Sequence, residues 1–466
     1  MKQTNGHGKY AAHNQKVGDA RFPLPCPLPR KTGEGDKGSL REFFVKWIIS
    51  ACLLLLSQLA AAAEKVVVLT SYPQEVVTQF EAAFEQAYPQ YRLEILWRQS
   101  RDAMAYLHQP HSALDVYWTP AQRNFAVLSN EGAFRKLDVD LSGLPKKIGG
   151  FQISDPDGYY VASETAGFGM AYHPGELKRL GLPIPSDWKT LAAPAYSGHV
   201  ILPIPSKVGY APMLVDTLLQ GYEWEHGWSI LEQVAANANL ADAGATFISD
   251  DVGSGRFAVG ATIDFFAVSA IANGKPLRFA YPEKVGYSPA HVAIFREAAH
   301  LDGARAFASF VLSEQGQKIL FHPDIRKLPV RPAVYVEKPE GYFDPFAAAQ
   351  RASYGYDMAS GLARQEVVGA LFDALITRHH AALKTMWSAL HRAGQKAPND
   401  PRLKQALVLA NWLPLTATQV NDAALQQTFI KRDSHTAAIE RQWDVEVAGH
   451  YAQATQLAQQ IIGDQR

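Results

Sequence analysis

Side chains with hydroxyl groups or positive charge follow several predicted strands, at the point where each strand ends. In the segment 65–89, the apolar run 66–69 is followed by Ser71 and then by apolar residues at helical spacing. Backbone N–H groups at a helix start, together with the helix dipole, favour an anion. Hydroxyl donors and one or two cations added there suit a phosphate or a carboxylate. The side chains of this kind are Ser71, Tyr72, Arg98, Ser100, Thr119, Thr165, Ser206 and Lys207.

Each of these residues also has a simpler interpretation. Ser71 would serve equally well as a helix N-cap, and a solvated surface position would account for several of the others taken singly. Arg98 is the leading candidate among the cations, because its planar fork can bind a carboxylate or phosphate through two donors. The prediction of an anion site therefore depends on these side chains meeting at one place in the fold.

Strands must alternate with helices to place the side chains in this way. The pattern is typical of a parallel α/β sheet, and a second strand, loop and helix unit begins near residue 199. Predicted strands lie at 66–69, 91–97, 114–117, 159–162, 169–172, 199–202, 258–263, 277–281 and 291–295. Predicted helices lie at 73–87, 101–107, 121–131, 213–220, 224–236, 250–257 and 303–320. Beyond residue 343 only helical periodicity is found, and its apolar stripes, which include Trp387, Trp412 and Trp443, indicate packing.

Composition indicates an ordinary globular protein with more than one core. The chain has 466 residues, of which 47% are hydrophobic, and this length predicts two or three domains. Lys plus Arg and Asp plus Glu both number 45, so no overall charge favours nucleic acid or an acidic surface. Partners must therefore be recognised locally.

The segment 41–63 has the order of a secretory signal. Arg41 and Lys46 precede the apolar run 47–56, and small residues end the segment at Ala63, after which we expect cleavage. An uncleaved anchor is the alternative, although the run is short for a membrane span. A lipoprotein-like box at 49–52 is a further, weaker alternative. Residues 1–40 have too little apolar surface to fold, and we hypothesise that translation starts near residue 40.

No cofactor, metal or catalytic site is predicted. Cys26 and Cys52 both precede the expected cleavage site, so the mature chain would contain no disulfide. His108 and His111 form an HxxH motif, but Pro110 lies between them and favours a surface turn over zinc. The sequence has no Gly-x-Ser-x-Gly elbow, Walker loop or paired-histidine helix, so we do not expect an enzyme.

Several short motifs resemble those of the extracellular solute-binding proteins of bacterial ABC importers. The resemblance covers about 65–334 and is greatest to the branch that includes ferric-ion and organophosphate binders. Within this branch it is greatest to the phosphoglycerate-transport regulatory type, which also has a helical tail. The motifs are VVVLTSYP at 66–73, DVYW at 115–118, GFGMAYH at 167–173, PS at 205–206 with Gly209, YP at 281–282, HVA at 291–293 and LSEQGQ at 312–317.

The resemblance implies an α/β, two-lobed periplasmic-binding-protein-like fold of type 2, with an added C-terminal all-helical region. The lobes would be joined by crossing strands and would close over one ligand. The expected divisions are an extension at 1–40, a signal peptide at 41–63, lobe 1 at 64–164, lobe 2 at 165–280, the return of lobe 1 at 281–335 and a helical extension at 336–466.

The function that the resemblance implies is periplasmic capture of a small anionic, phosphorylated or carboxylated solute for a membrane ABC permease. Tyr281 would close the cleft from the hinge, and Asp264 would accept hydrogen bonds from a ligand hydroxyl or amine. A ligand-sensing partner of a membrane sensor kinase is an alternative, and a ferric-ion binder is a second. Asp264, Phe265 and Phe266 stand where ferric binders have two tyrosines, which disfavours iron. Ligand identity, permease, tail packing and oligomeric state stay open.

Overall fold

The structure, a computed structural model, describes residues 63–109, 113–242, 246–351 and 355–464. The predicted extension, residues 41–62 of the predicted signal peptide, both cysteines and His111 lie outside the described residues. No helix within the described ranges is long and apolar enough to cross a membrane.

The first lobe begins with strands that alternate with helices. Val66, Val68 and Leu69 are fully buried, as a strand covered on both faces requires. The following helix buries Val76, Val77, Phe80 and Phe84 on one face. The elements are β1 (Glu64–Thr70), α1 (Gln74–Ala87), β2 (Tyr91–Trp97), α2 (Ser100–Leu107), β3 (Val116–Thr119), α3 (Gln122–Asn130), β4 (Lys147–Ile148) and β5 (Gly150–Gln152).

A long strand, β6 (Val161–Tyr172), carries the chain into the second lobe, where parallel strands are again separated by helices. The elements are α4 (Pro174–Leu180), α5 (Trp188–Leu191), β7 (Val200–Pro203), α6 (Ala211–Tyr222), α7 (Trp224–Asn237), β8 (Ala238–Ala241), α8 (Thr246–Gly253), β9 (Val259–Ile263), α9 (Asp264–Ala272) and β10 (Arg278–Ala280).

Strand β11 (Tyr287–Ile294) returns the chain to the first lobe, and a helical tail follows. The first lobe is completed by α10 (Leu301–Leu312) and α11 (Glu314–Ile319). The remaining elements are α12 (Pro345–Ala349), β12 (Gly355–Tyr356), α13 (Met358–Phe372), α14 (His380–Lys396), α15 (Pro401–Ala410), α16 (Ala417–Val420), α17 (Ala423–Lys431) and α18 (Ser434–Gly463).

In each lobe the parallel strands point toward the other lobe. Their carboxyl ends therefore face each other. The strand order is β2-β1-β3-β11-β6-β9-β7-β8, with β10 also on β6. Strands β3 and β6 are both antiparallel to β11, so they run the same way, whereas β9 and its parallel neighbour β7 run the opposite way. The ends of β3 and β9 are separated by five intervening residues of β6, or about 20 Å of extended chain. A common gap therefore lies between the two edges.

The helical tail packs on the second lobe and shares its core. One continuous cluster contains Trp228 and Leu231 of α7 together with Trp387 and Tyr451 of the tail. Polar contacts add to this interface, since the Trp224 indole N–H donates to the Leu415 carbonyl at 2.9 Å. The first lobe has separate clusters on the two faces of its sheet. The tail is thus a structural part of the second lobe.

Several predicted elements differ from those observed. The strands predicted at 159–162 and 169–172 form the single strand β6, because Ser163, Glu164 and Thr165 between them are buried and the Glu164 carboxylate is ion-paired with Lys327. The helix predicted at 250–257 is α8, which ends at Gly253, and strand β8 was not predicted. The predicted lobe boundary at 164/165 falls within β6, and the one at 280/281 falls between β10 and β11. Both lobe boundaries stay predictions.

Two further corrections concern the return segment and the tail. The helix predicted at 303–320 is broken at Ser313, whose Oγ accepts from the Gly316 N–H at 3.1 Å and caps α11. A Cβ at Gly316 would lie 2.1 Å from the Phe310 carbonyl oxygen, so only glycine permits this tight join. The tail is not purely helical, because β12 pairs with β5 in a small separate sheet.

Candidate functional site

Three hydroxyl groups from the first lobe form a cluster at its carboxyl edge. The parallel register pairs Leu69 with Tyr117, which brings the residues after β1 and β3 side by side. Ser71 Oγ lies 2.5 Å from Thr119 Oγ1 and 3.2 Å from Ser100 Oγ, and the Ser71 N–H donates to Thr119 Oγ1 at 3.3 Å. The structure therefore brings together three of the residues predicted from sequence.

Helices that begin at the two facing edges lack side-chain caps. Ser71 does not cap α1, whose N-cap is Pro73, so the simpler interpretation of this serine is not observed. By contrast, six tail helices have a capping side chain from Asp or Thr. Unpaired N–H groups at a helix start are available to an anion. The helices without a side-chain cap at the facing edges are α1, α2, α3, α6 and α9.

A buried ion pair lies at the junction of the two lobes, beside this cluster. Lys327 Nζ donates to Glu164 Oε1 at 2.9 Å, and the Tyr72 hydroxyl donates to the same oxygen at 2.9 Å. The ammonium also lies 5.4 Å from the ring centre of Tyr72, in lobe 1, and 4.3 Å from that of Phe265, in lobe 2. Burial and the Glu164 carboxylate raise the pKa of Tyr72 well above its usual value, so its hydroxyl stays protonated. This lysine is a positive charge held between the lobes.

A second carboxylate lies at the start of α9. Asp264 Oδ2 accepts from the Gly167 N–H at 2.7 Å and from the Tyr281 hydroxyl at 3.0 Å, which brings two more predicted residues together. A Cβ at Gly167 would lie 2.7 Å from the Tyr281 ring, so glycine permits this approach. Burial raises the pKa of Asp264 to about 7, against the opposing effects of these donors and of the Lys327 charge.

Replacing Asp264 with asparagine should reduce a pH dependence of stability. The folded carboxyl has its pKa raised to about 7, whereas the unfolded carboxyl titrates at about 3.9. The folded state therefore binds this proton more tightly, and stability falls as pH rises from about 4 to about 7. Thermal unfolding between pH 4 and 8 should show a smaller decline for Asp264→Asn than for the parent. Asp157→Asn, at an exposed position, should keep the parent slope.

A cavity of about 310 Å³ opens beside Tyr281. Arg278 and Arg326 contribute positive charge to its lining and Glu340 contributes a negative charge, among aromatic and apolar side chains. Phe343, on the segment leading to the tail, stacks on the Tyr281 ring with centroids 3.6 Å apart. The Tyr342 hydroxyl donates to the Lys327 carbonyl at 2.9 Å. The segment before the tail is thereby fixed against the Lys327 and Tyr281 regions.

The remaining predicted residues do not join the cluster. Arg98 is half-buried, donates from Nη1 to the Trp97 carbonyl at 2.8 Å and lies over the Tyr106 ring at 5.2 Å. Thr165 is buried, and its backbone pairs with Leu328, which positions the neighbouring Lys327. Ser206 and Lys207 are exposed in the loop between β7 and α6, at the facing edge of lobe 2.

Sequence reasoning missed two residues of the site, Glu164 and Lys327. Both carry charge yet are only 2% and 5% exposed, respectively. Their positions offered a signal, because Lys327 lies among apolar residues and Glu164 separates two predicted strands. Pairing between residues so far apart in the chain could not be derived from that signal. Among the described residues, no group of three or more His, Cys, Asp and Glu side chains could hold a metal ion.

The sequence comparisons agree with the resemblance noted above. Residues 121–349 match the family model described as bacterial extracellular solute-binding protein. The phosphoglycerate transport regulatory protein PgtC of Salmonella typhimurium is 31% identical over 266 residues, which cover 56% of this chain and 64% of that protein. The chain thus spans less than two thirds of the length of that relative.

Solved structures are similar over about two thirds of the chain. The periplasmic binding protein AfuA from Actinobacillus pleuropneumoniae, with fructose-6-phosphate bound, has a TM-score of 0.54 and 19% identity, covering 67% of this chain and 98% of that one. Iron-bound HitA from Pseudomonas aeruginosa has a TM-score of 0.54 and 16% identity, covering 66% and 98%, respectively. The predicted two-lobed fold is confirmed. The matching family and these neighbours are described as binding proteins.

Proposed function

We propose, on the premise that this chain is an extracellular solute-binding protein with the two-lobed periplasmic fold, that it captures a small phosphorylated or carboxylated solute between its lobes. The solute would be delivered in the periplasm to a membrane permease of the ABC type. Recognition would be non-catalytic, through helix N-termini, hydroxyl groups and positive charge.

One observation carries the proposal: five helix starts without side-chain caps lie at two facing edges, beside a buried ammonium. Each helix start offers backbone N–H groups to an anion. The hydroxyls of Ser71, Ser100 and Thr119 can donate further hydrogen bonds, and Lys327 adds charge where water is excluded. Together these groups favour a small oxyanion over a cation or an apolar solute.

The crossing strands provide the means of closure. Residues 163–167 of β6, and the part of β11 beside them, are the segments that link the lobes. A solute held at both edges would stabilise the closed arrangement, because it contacts both lobes only when they are together. Thr165, Asp264 and Tyr281 lie at this junction, so we assign them to positioning the lobes and lining the cleft.

The relatives support the chemical class of the ligand. The name of PgtC refers to phosphoglycerate transport, and the AfuA structure contains a sugar phosphate. Both compounds are phosphorylated and carry hydroxyl groups. The buried oxygens Glu164 Oε2 and Asp264 Oδ1 have no hydrogen-bond partner among the described residues, and both could accept from such hydroxyls.

A regulatory role is a second candidate. The word "regulatory" in the name of PgtC and the presence of a large helical tail favour it. The ligand-bound protein would then dock on a membrane sensor kinase, and the same anion would be the signal. A ferric-ion binder is a weaker candidate, because Phe265 and Phe266 at the start of α9 have no ligand oxygen.

A thermal-shift screen would test the ligand class. Compounds that bind the folded state raise its unfolding temperature. Phosphoglycerates, phosphoenolpyruvate, aminoethylphosphonate, sulfate and ferric salts form the set. We expect at least one phosphorylated or carboxylated compound to stabilise the protein. Stabilisation by ferric salts alone would contradict the proposal.

Thr119→Val should weaken binding of the best anion from this screen. The variant keeps the side-chain shape but removes the hydroxyl that contacts Ser71, and the anion loses one donor. We expect a loss of about 1.5–3 kcal/mol in calorimetry, since a hydrogen bond to a charged group contributes about that much. Thr418→Val, at an exposed tail position, is the matched control. Equal affinities in both variants would remove Thr119 from the site.

A further inference from the structure

A groove of about 580 Å³ lies between the second lobe and the tail helix α14, remote in sequence from the solute site. We call it the tail groove. Its lobe-2 wall includes Ser197 and Asn237, and its other wall is one face of α14 with Lys384, Ser388 and Arg392. These three residues are four apart, so they lie on the same side of the helix, one turn after another. The family match ends at residue 349, before this helix.

The charge of the tail groove is positive and unbalanced. Lys384 and Arg392 line it, no Asp or Glu is among its lining residues, and neither cation forms a salt bridge with a carboxylate in the described part of the chain. Lys384 Nζ donates to the Ala238 carbonyl at 3.0 Å, which holds the ammonium at the groove. The whole sequence has 45 positive and 45 negative side chains, so this local imbalance is a departure from the rest of the molecule.

One hydrogen-bond donor in the tail groove also lacks an acceptor. Trp387 lines the groove and is only 4% exposed, and its indole N–H has no partner among the described residues. A buried donor without an acceptor is unfavourable unless a ligand or water supplies one. Burial lowers the pKa of His391, which also lines the groove, so this histidine is neutral at pH 7 and adds no charge. The groove therefore has no negative side chain in its lining, and one buried donor in it has no acceptor.

The spacing of the two cations indicates the shape of the missing partner. Their backbone positions are eight residues apart on a helix, or about 12 Å. A partner with two negative groups about that far apart would pair with both cations without either side chain bending toward the other. In an extended peptide, residues four apart lie on the same side and are separated by about 13 Å. We propose that the tail groove binds an extended segment of a partner protein that carries two acidic residues four positions apart.

Fluorescence anisotropy with a labelled peptide would test this proposal on the full chain. The probe is Gly-Glu-Thr-Val-Thr-Glu-Gly, and the same peptide with lysine in place of both glutamates is its control. We expect binding of the acidic peptide only, weakening as salt is raised. Arg392→Glu and Lys384→Glu should each weaken binding roughly tenfold or more, since repulsion replaces attraction. Lys404→Glu, at an exposed position on α15, should leave binding unchanged.

The outcomes of this experiment distinguish an acidic peptide from a small anion as the ligand of the tail groove. Absence of binding, equal binding of the lysine peptide, or an equal loss in Lys404→Glu would overturn the proposal. Inorganic phosphate that displaces the peptide more strongly than sodium chloride of the same ionic strength would indicate a small-anion site instead, and would also overturn it. Circular dichroism checks that each variant folds. If Lys384→Glu does not fold, the affinity of Arg392→Glu for the peptide tests the proposal, because Arg392 is exposed and its substitution leaves the core unchanged.

Discussion

Deleting residues 343–466 is expected to abolish the soluble, cooperatively folded second lobe. The tail covers fully buried lobe-2 side chains such as Trp228 and Leu231, which share one cluster with Trp387 and Tyr451. Exposing one large apolar side chain costs about 1.5–3 kcal/mol, whereas the whole stability of a protein is about 5–15 kcal/mol. Loss of the tail also leaves Asp216 buried without its ion-pair partner Arg364, which lies 2.7 Å away. Several such losses together exceed the available stability.

The deletion would be judged by the soluble fraction on expression and by circular dichroism during thermal unfolding. A matched pair of point variants on α18 tests the same claim without removing the tail. Val447 is fully buried and Val445 is 73% exposed, so Val447→Ala should lower the free energy of unfolding by about 2 kcal/mol and Val445→Ala by much less. A soluble truncated chain with a cooperative transition would contradict a shared core.

The shared core also limits how the two proposed roles, transport and regulation, can be separated. Tail deletion would remove both proposed roles if it unfolds the second lobe that holds one edge of the cleft. Surface variants of the tail are more informative, because they leave the core intact. Arg392→Glu in the tail groove is one such variant, and it lies outside the proposed solute site.

The strands and helices that were predicted from the sequence are those whose formation depends on residues close together in the chain. Strand β2 was predicted with its observed bounds, and β1 and α1 followed from an apolar run and from helical spacing. The cluster of Ser71, Ser100 and Thr119 was also accessible, because side chains that follow parallel neighbouring strands must meet at one edge. Those inferences needed only periodicity and the rule that consecutive α/β units form parallel strands.

Features that depend on distant pairing could not be predicted in this way. Glu164 was placed in a break between strands because a charged residue is unfavourable in a buried strand. Its partner Lys327 lies 163 residues away, and the pair is what allows both charges to be buried. The tail's apolar stripes likewise predicted packing but not which lobe would be covered, since a stripe does not identify its partner.

Lys327→Met is expected to be strongly destabilising and to weaken anion binding. The substitution leaves Glu164 at the lobe junction with only the Tyr72 hydroxyl, and an unpaired buried charge costs about 3–5 kcal/mol. Adding Glu164→Gln should restore most of the stability, because the remaining side chain is then neutral. Denaturant unfolding of the parent, both single variants and the double variant would give the coupling between the two charges.

Anion affinity should respond differently from stability, and this difference distinguishes a ligand-binding lysine from a purely structural one. The double variant Lys327→Met with Glu164→Gln has no positive charge between Tyr72 and Phe265, so binding of the best anion should stay weakened by about 1.5–3 kcal/mol in calorimetry. Parental affinity in a stable double variant would mean that Lys327 only neutralises Glu164. Parental stability in the Lys327→Met single variant would contradict the buried pair itself. A folded double variant that has lost affinity would instead identify this ammonium as the charge that attracts the solute to the junction of the lobes.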